Sequence, residues 1–70
     1  MRLREIVARN LRRLRREKGV SQEELADRAG LNRNYPGLLE REQYAATVDV
    51  LEKLAAALDV DPVEFFRKNS

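Results

Sequence analysis

The sequence predicts an all-α fold, a bundle of five helices forming one domain over residues 1–70. The helices are expected near residues 2–18, 21–29, 33–41, 47–58 and 62–68. Three observations support this prediction. Apolar residues recur every three or four positions, residues that favour helix N-caps precede several segments, and glycine or proline stands where segments end or begin.

The first helix is predicted by an amphipathic pattern that ends at Gly19. Its expected inner positions follow one another at intervals of three or four residues: Leu3, Val7, Leu11 and Leu14. The other positions are rich in arginine: Arg2, Arg9, Arg12, Arg13 and Arg16. We therefore expect one face in the core and a basic face outside.

The second helix has a well-specified start. Ser21 can cap it, with Glu24 three residues later to complete a capping box, and Val20 and Leu25 occupy the positions of a hydrophobic staple. Gly30 can take the left-handed backbone that ends a helix. This helix is expected to be about two turns long.

A third short helix should follow a tight turn. Leu31 fills the turn, Asn32 can cap the helix, and Leu39 offers an apolar anchor on its inner face. Two short helices joined in this way can cross closely at a steep angle.

Two further helices complete the core. Thr47 can cap the fourth, whose inner stripe is Val50, Leu51, Leu54, Ala55 and Leu58. Asp61 can cap the fifth, with Pro62 at its first helical position and Glu64 three residues after the cap. Of Phe65 and Phe66, at least one should close the core, and the other is expected outside.

The stretch SQEELA at 21–26, together with Gly30, Leu31 and Leu39-Glu40-Arg41, resembles the helix-turn-helix domain of the lambda/434 repressor and Cro type, the xenobiotic-response-element family of bacterial regulators. The resemblance spans roughly residues 3–66. It implies a lambda-repressor-like bundle that places its third helix in the DNA major groove. It also implies a small, sequence-specific transcriptional regulator that acts as a homodimer on a two-half-site operator.

The same resemblance implies roles for single residues. Arg33 and Asn34 match positions that reach base edges. There an arginine can make bidentate hydrogen bonds to guanine, and an asparagine can make them to adenine. Gly37 and Leu38 are expected on the same outward face as these base readers. Residues expected at backbone phosphates are Gln22, Tyr35, Arg41, Gln43 and Tyr44. Leu38 and Tyr44 equally suit a protein contact, and Gln22 equally suits an ordinary helix start.

Arg15 and Glu40 match an arginine and a glutamate that commonly pair across the first and third helices. Such an ion pair would orient the recognition helix. The alternative is that Arg15 is one more solvated residue in a basic run.

Two departures from the family pattern affect the third helix. Pro36 stands where the family usually has Val or Ile, followed by Gly37. Because proline lacks an N–H and disfavours helical angles in the preceding residue, we expect the helix to begin late or to be distorted before Pro36. That would move Arg33 and Asn34 out of base-reading geometry. Glu42 stands where the family often has Gly, so we expect a differently shaped loop in which an acidic side chain disfavours phosphate.

Composition narrows the function. The chain has no Cys and no His, which excludes disulfide chemistry and the usual zinc and imidazole sites. No group of residues forms a catalytic constellation, so we expect no enzyme, no cofactor and no small-molecule ligand. No apolar run approaches a membrane span and no leader precedes the first helix, so a cytoplasmic protein without a membrane partner is expected.

Charge is unevenly distributed along the chain. Residues 1–41 carry a net charge of +5 and residues 42–70 a net charge of −3. This asymmetry favours one face that docks on the phosphates of double-stranded DNA. The alternative for the arginines of the first helix is that they only solubilise it.

The sequence therefore predicts a DNA-binding transcriptional regulator, either a whole small regulator, such as the controller of a restriction-modification system, or a DNA-binding fragment. The rival hypothesis is a protein-interaction module: an antitoxin-like binder, or a variant whose Pro36 impairs DNA reading and which oligomerises through Leu38, Tyr44 or Phe66.

Overall fold

The computed structural model describes residues 2–68 and contains no β-strand in that range. Four α-helices and one 3-10 helix follow in chain order: α1 Leu3–Glu17, α2 Gln22–Ala29, α3 Tyr35–Glu40, α4 Val48–Leu58 and the 3-10 helix Pro62–Phe66. The α1 helix packs against α3 and the 3-10 helix, and α2 packs against α3 and α4. The all-α prediction is confirmed, and the short α2 and α3 helices lie between the two long ones.

The inner face of α1 is shifted relative to the predicted stripe. Val7, Leu11 and Leu14 lie in the core as expected, but Leu3 is 59% exposed. Leu3 is the first residue of α1, so no preceding helical turn covers its side chain. Ile6 supplies the buried side chain at this end instead.

The start and end of α2 follow the predicted motifs. Ser21 Oγ accepts a hydrogen bond from Glu24 N at 3.0 Å, and Glu24 Oε1 accepts one from Ser21 N at 3.2 Å. This reciprocal pair is the predicted capping box. Gly30 ends the helix at φ +69°, a left-handed conformation that costs glycine little.

Helix α3 begins late, as Pro36 predicts. Its first residue is Tyr35, two residues after the expected start, and Pro36 occupies the second helical position. The N–H at that position has no intrahelical partner in any α-helix, so proline removes no hydrogen bond there. Asn34 already has helical backbone angles, φ −86° and ψ −11°, but the turn at 33–34 precedes the helix proper.

The predicted fifth α-helix over 62–68 is wrong in type and length. Residues Pro62–Phe66 form a 3-10 helix, with Glu64 N donating to Asp61 O at 2.9 Å. Asp61 does cap this segment, since its Oδ1 accepts from Val63 N. Five residues form little more than one turn, and such short pieces commonly adopt the tighter i→i+3 pattern. Thr47 caps α4 through a hydrogen bond from Val50 N, as predicted.

A buried asparagine ties the end of the fold to α1. Asn10 is fully buried, and its Nδ2 donates to Phe65 O at 2.9 Å and to Arg67 O at 2.7 Å. Phe65 is fully buried and Phe66 is 42% exposed, which confirms the expectation that one of the two closes the core. The end of the 3-10 helix is therefore held by the buried Phe65 ring and by two hydrogen bonds from the Asn10 side chain to the backbone carbonyls of Phe65 and Arg67.

Within residues 2–68, every helix is too short or too polar to cross a lipid bilayer.

Candidate nucleic-acid interface

The turn between α2 and α3 presents polar side chains to solvent. Arg33 and Asn34 are both exposed, and they lie in this turn rather than in the first helical turn. Asn32 was expected to cap α3. Its Oδ1 instead accepts from Asn34 N at 2.9 Å, which closes an Asx-turn, and Tyr35 N donates to Asn32 O at 2.9 Å. The proline moves the helix start by two residues, so the same asparagine organises the turn rather than the helix.

Gly37 is buried, so its expected place on the outward face of α3 is wrong. A Cβ atom at this position would lie 3.0 Å from Gln22 Oε1 and 3.1 Å from Arg41 Nη1. The side chains of Gln22 and Arg41 therefore meet over the glycine. Because Gly37 has no side chain, it leaves room for these two polar groups to approach each other, Gln22 from the start of α2 and Arg41 from the end of α3.

Two tyrosines pack beside this surface. The Tyr35 and Tyr44 rings are 6.0 Å apart between centroids and nearly perpendicular, at 89°. Tyr35 is half-buried against the core, whereas Tyr44 is 54% exposed. Leu38, one turn into α3, is half-buried. The edge-to-face contact fixes the loop after α3 against the start of that helix.

The end of α3 has the hydrogen bonds of a Schellman motif. Gln43 N donates to Leu38 O at 2.9 Å and Glu42 N to Leu39 O at 3.0 Å. Glu42 occupies the left-handed position of this motif at φ +61°. Glutamate here adopts a conformation that glycine usually supplies. The expectation of a differently shaped loop stays a prediction. The exposed Gln43 side chain accepts a 3.4 Å hydrogen bond from Arg41.

Glu40 lies at the centre of a charged network behind the candidate interface. Its side chain is 2% exposed and receives Arg15 Nε at 2.7 Å on Oε2 and Arg15 Nη2 at 3.2 Å on Oε1. Gln22 Nε2 donates to Oε1 at 3.1 Å. The Arg15 guanidinium also donates to Val20 O, so it connects α1, the start of α2 and the end of α3.

The network shifts the acidity of both partners. Burial raises the pKa of the Glu40 carboxyl, but hydrogen bonds from Arg15, Gln22 and Arg12 and the charge of Arg15 outweigh it, and the net pKa is below the ordinary value. The pKa of Arg15 is raised, chiefly by its hydrogen bond to Glu40. Both groups are therefore charged at neutral pH, and the carboxylate keeps Gln22 in place.

Sequence reasoning missed a second arginine at this carboxylate. Arg12 Nε lies 3.5 Å from Glu40 Oε1, and its Nη2 donates to Glu40 O at 3.3 Å. The signal was available, since Arg12 stands three residues before Arg15 and so shares a face of α1 with it.

Comparison with known proteins agrees with this architecture. The model of the helix-turn-helix family (HTH_3) matches residues 11–65, which is most of the chain. The chain belongs to the helix-turn-helix family.

Relatives of this helix-turn-helix protein share most of its length. An uncharacterized HTH-type transcriptional regulator, y4dJ from Sinorhizobium fredii, is 47% identical over 64 residues, which cover 91% of this chain and 83% of the relative. The crystal structure of the hypothetical transcription factor NHTF from Neisseria superposes with a TM-score of 0.90 at 41% identity, covering 94% of this chain and 76% of the other.

A third similar protein is the restriction-modification controller protein C.AhdI from Aeromonas hydrophila. Its crystal structure has a TM-score of 0.86 at 44% identity and covers 90% of this chain and 96% of its own. Family, relatives and fold together identify the chain as a DNA-binding transcriptional regulator.

Proposed function

We propose that this helix-turn-helix protein binds a two-half-site operator as a symmetric dimer and regulates transcription from it. The observation that carries the proposal is the convergence of Gln22 and Arg41 over Gly37, beside the exposed Arg33 and Asn34. The guanidinium of Arg41 is a group that binds backbone phosphate. The Gln22 side chain can do so through the second N–H of Nε2, because Glu40 accepts only one of the two.

We assign base reading to the turn before α3 and to the first turn of α3. The late start of α3 was expected to move Arg33 and Asn34 out of base-reading geometry, and it does place them before the helix, but both side chains stay exposed there. Arg33 and Asn34 are exposed, and an arginine and an asparagine can make bidentate contacts to guanine and adenine in the major groove. Leu38 is a candidate for contact with a thymine methyl group. Gly37 is removed from the base-reading set, since Gln22 and Arg41 cover it.

Phosphate binding is assigned to Gln22 and Arg41, with Gln43 at the end of α3 beside them. The Tyr35 and Tyr44 hydroxyls remain candidates for phosphate contact. The Arg15–Glu40 ion pair has a positioning role, because Glu40 holds the Gln22 amide at 3.1 Å.

Dimerisation is assigned to an apolar surface that includes Tyr44, next to the candidate nucleic-acid interface. A groove of about 310 Å³ is lined mainly by apolar side chains, among them Leu3, Tyr44, Val48 and Phe66. All four are exposed, Val48 by 75% and Leu3 by 59%. Exposed apolar patches of this kind are typical of protein interfaces. The groove is also the observation that favours the rival function, a protein-interaction module that does not read DNA.

Selection of duplexes from a random pool tests the proposal. We expect enrichment of an inverted repeat with half-sites about one helical turn apart. Arg33→Ala should cost about 1 to 3 kcal/mol on the selected duplex and relax the preference at one base pair. Arg67→Ala, which removes an exposed arginine paired with Glu64, is the matched control and should bind as the wild type does.

Sedimentation of two variants tests the dimer. Val48→Asp places a charge in the apolar groove and should yield a monomer with weaker operator binding. Val63→Asp is the control, because Val63 is 69% exposed but does not line the groove. A stable oligomer that binds no duplex, or all duplexes equally, would favour the protein-interaction module.

A further inference from the structure

A second groove runs between α1 and the end of α3 and has a volume of about 390 Å³. We refer to it as the arginine groove. Its lining includes four arginines that follow one face of α1, namely Arg9, Arg12, Arg13 and Arg16, together with the carboxylates Glu5, Glu40 and Glu42. None of the groups that read or contact DNA in the proposed function lines it.

Two of the four arginines form no ion pair with the described residues. Arg13 pairs with Glu17 at 3.3 Å and Glu64 at 3.4 Å, and Arg12 lies 3.5 Å from Glu40. Among the ion pairs between residues 2 and 68, neither Arg9 nor Arg16 takes part in one. Both are exposed, so two guanidinium groups at the groove are open to an anion.

The spacing of these two groups fits an extended polyanion. Arg9 and Arg16 are two helical turns apart on one face of α1, or about 10 Å along its axis. Successive phosphates of one DNA strand advance about 3.4 Å along the duplex axis. Two phosphates of a strand, or of facing strands, can bind two arginines placed in this way.

The position of the groove favours DNA over an acidic protein segment. Glu40 forms part of its wall, and Glu40 Oε1 accepts hydrogen bonds from both Arg12 and Gln22. The arginine groove therefore adjoins the start of α2, where the proposed function already places a phosphate.

We propose that the arginine groove is a second phosphate-binding surface, in which Arg9 and Arg16 bind the DNA backbone beyond the contacts of the helix-turn-helix. This inference rests on the proposed function. It decides between the two interpretations of the basic helix, since arginines that only solubilise α1 would leave DNA affinity unchanged.

Glu42 limits this surface. It lines the arginine groove, takes the left-handed conformation at φ +61°, and lies 3.4 Å from Arg2. A carboxylate in this place repels phosphate and competes with it for the arginines. The wild-type protein therefore binds DNA less tightly than its arginines allow.

The experiment measures operator affinity against salt concentration for two matched pairs of variants. Arg9→Gln/Arg16→Gln should lower the slope of log K against log salt by up to about 2, because each phosphate that an arginine neutralises adds about 0.9 to that slope. Arg67→Gln/Lys68→Gln removes the same charge from the chain outside the groove and should leave the slope near the wild-type value.

The second pair compares the two acidic residues that have positive φ. Glu42→Gly should raise operator affinity about two- to fivefold, as expected for removing one exposed ionic contact. Asp59→Gly relieves the same backbone strain, since Asp59 has φ +56°, but lies outside the groove and should leave affinity unchanged. Urea titration of all four variants checks that each is folded.

The outcomes separate the two proposals. A wild-type protein that binds no duplex overturns the proposed function and this inference with it. A wild type that selects an operator, with an unchanged slope in Arg9→Gln/Arg16→Gln or an equal fall in both charge-removal variants, overturns the inference alone. An unchanged slope in Arg9→Gln/Arg16→Gln would favour an acidic protein segment, rather than DNA, as the ligand of the arginine groove.

Discussion

Replacing Arg15 with methionine removes the hydrogen bonds of 2.7 and 3.2 Å from this arginine to the Glu40 carboxylate. The side chains of Glu40 and Arg15 are 2% and 14% exposed, so the change leaves a charge that water cannot reach. Breaking a buried ion pair costs about 3 to 5 kcal/mol. Because Gln22 and Arg12 still donate to Glu40, we expect the lower end, about 3 kcal/mol.

This loss is large for a chain of 70 residues. Domains have free energies of unfolding of about 0.05 to 0.15 kcal/mol per residue, or about 4 to 10 kcal/mol here. Urea titration is the assay. With an m-value of about 1 kcal/mol/M for a small domain, the midpoint should fall by about 3 M.

A double-mutant cycle tests whether the ion pair itself is responsible. Glu40→Leu alone should also destabilise the protein, because it leaves Arg15 without its carboxylate. Arg15→Met/Glu40→Leu should be more stable than the sum of the two losses predicts, since an apolar pair leaves no buried charge. Free-energy changes that add to within about 0.5 kcal/mol would refute this reasoning.

The lowered pKa of Glu40 adds a dependence on pH. A carboxyl whose pKa is lower in the folded state stabilises the fold fully above its unfolded pKa, and this contribution is lost as the pH falls through the folded pKa. The stability difference between the wild type and Glu40→Gln should therefore be constant at neutral pH and shrink below about pH 4.5. A difference that grows on acidification would contradict the ion pair.

Three further substitutions have expected outcomes. Asn10→Ala leaves two carbonyl groups without their donor, and we expect thermal unfolding to show a loss of about 1 to 3 kcal/mol; an unchanged melting temperature would mean that water replaces the amide. Pro36→Ala should destabilise by about 1 to 2 kcal/mol in urea, since a buried ring is removed and the unfolded chain gains freedom; a gain near 3 kcal/mol would show that proline strains α3. Gly37→Ala should change the free energy of unfolding by less than about 1 kcal/mol but weaken binding to all duplexes alike, because Gln22 and Arg41 must move. An affinity equal to that of the wild type in a filter-binding titration would exclude a phosphate-binding site formed by Gln22 and Arg41 over Gly37.

Local features of the fold were predictable because they act over a few residues. The capping box of Ser21 and Glu24, the Thr47 cap and the left-handed Gly30 each depend on backbone within four positions. The late start of α3 belongs to the same class, since Pro36 acts within its own turn, although Tyr35 before it is helical.

Burial at the candidate site was harder to predict. The family resemblance placed Gly37 on the outward face and periodicity placed Leu3 on the inner face, but Gly37 is buried and Leu3 is exposed. Gly37 is covered by Gln22 from another helix, and Leu3 lies beyond the end of the packed bundle. The α-helix expected over 62–68 was wrong for a related reason, since a cap and a proline specify a start but not a length.

The sequence by itself determined the helix-turn-helix family, the order of the elements, the caps at Ser21, Thr47 and Asp61, and the displacement of the third helix by Pro36. The tertiary structure decided which side chains share a carboxylate, which glycine is covered and where Arg9 and Arg16 line a groove. Caps and turns depend on interactions between residues that are close in sequence, so the local sequence is enough to predict them. The contacts of Glu40 join residues up to 28 positions apart, and they exist only after α1, α2 and α3 have packed together.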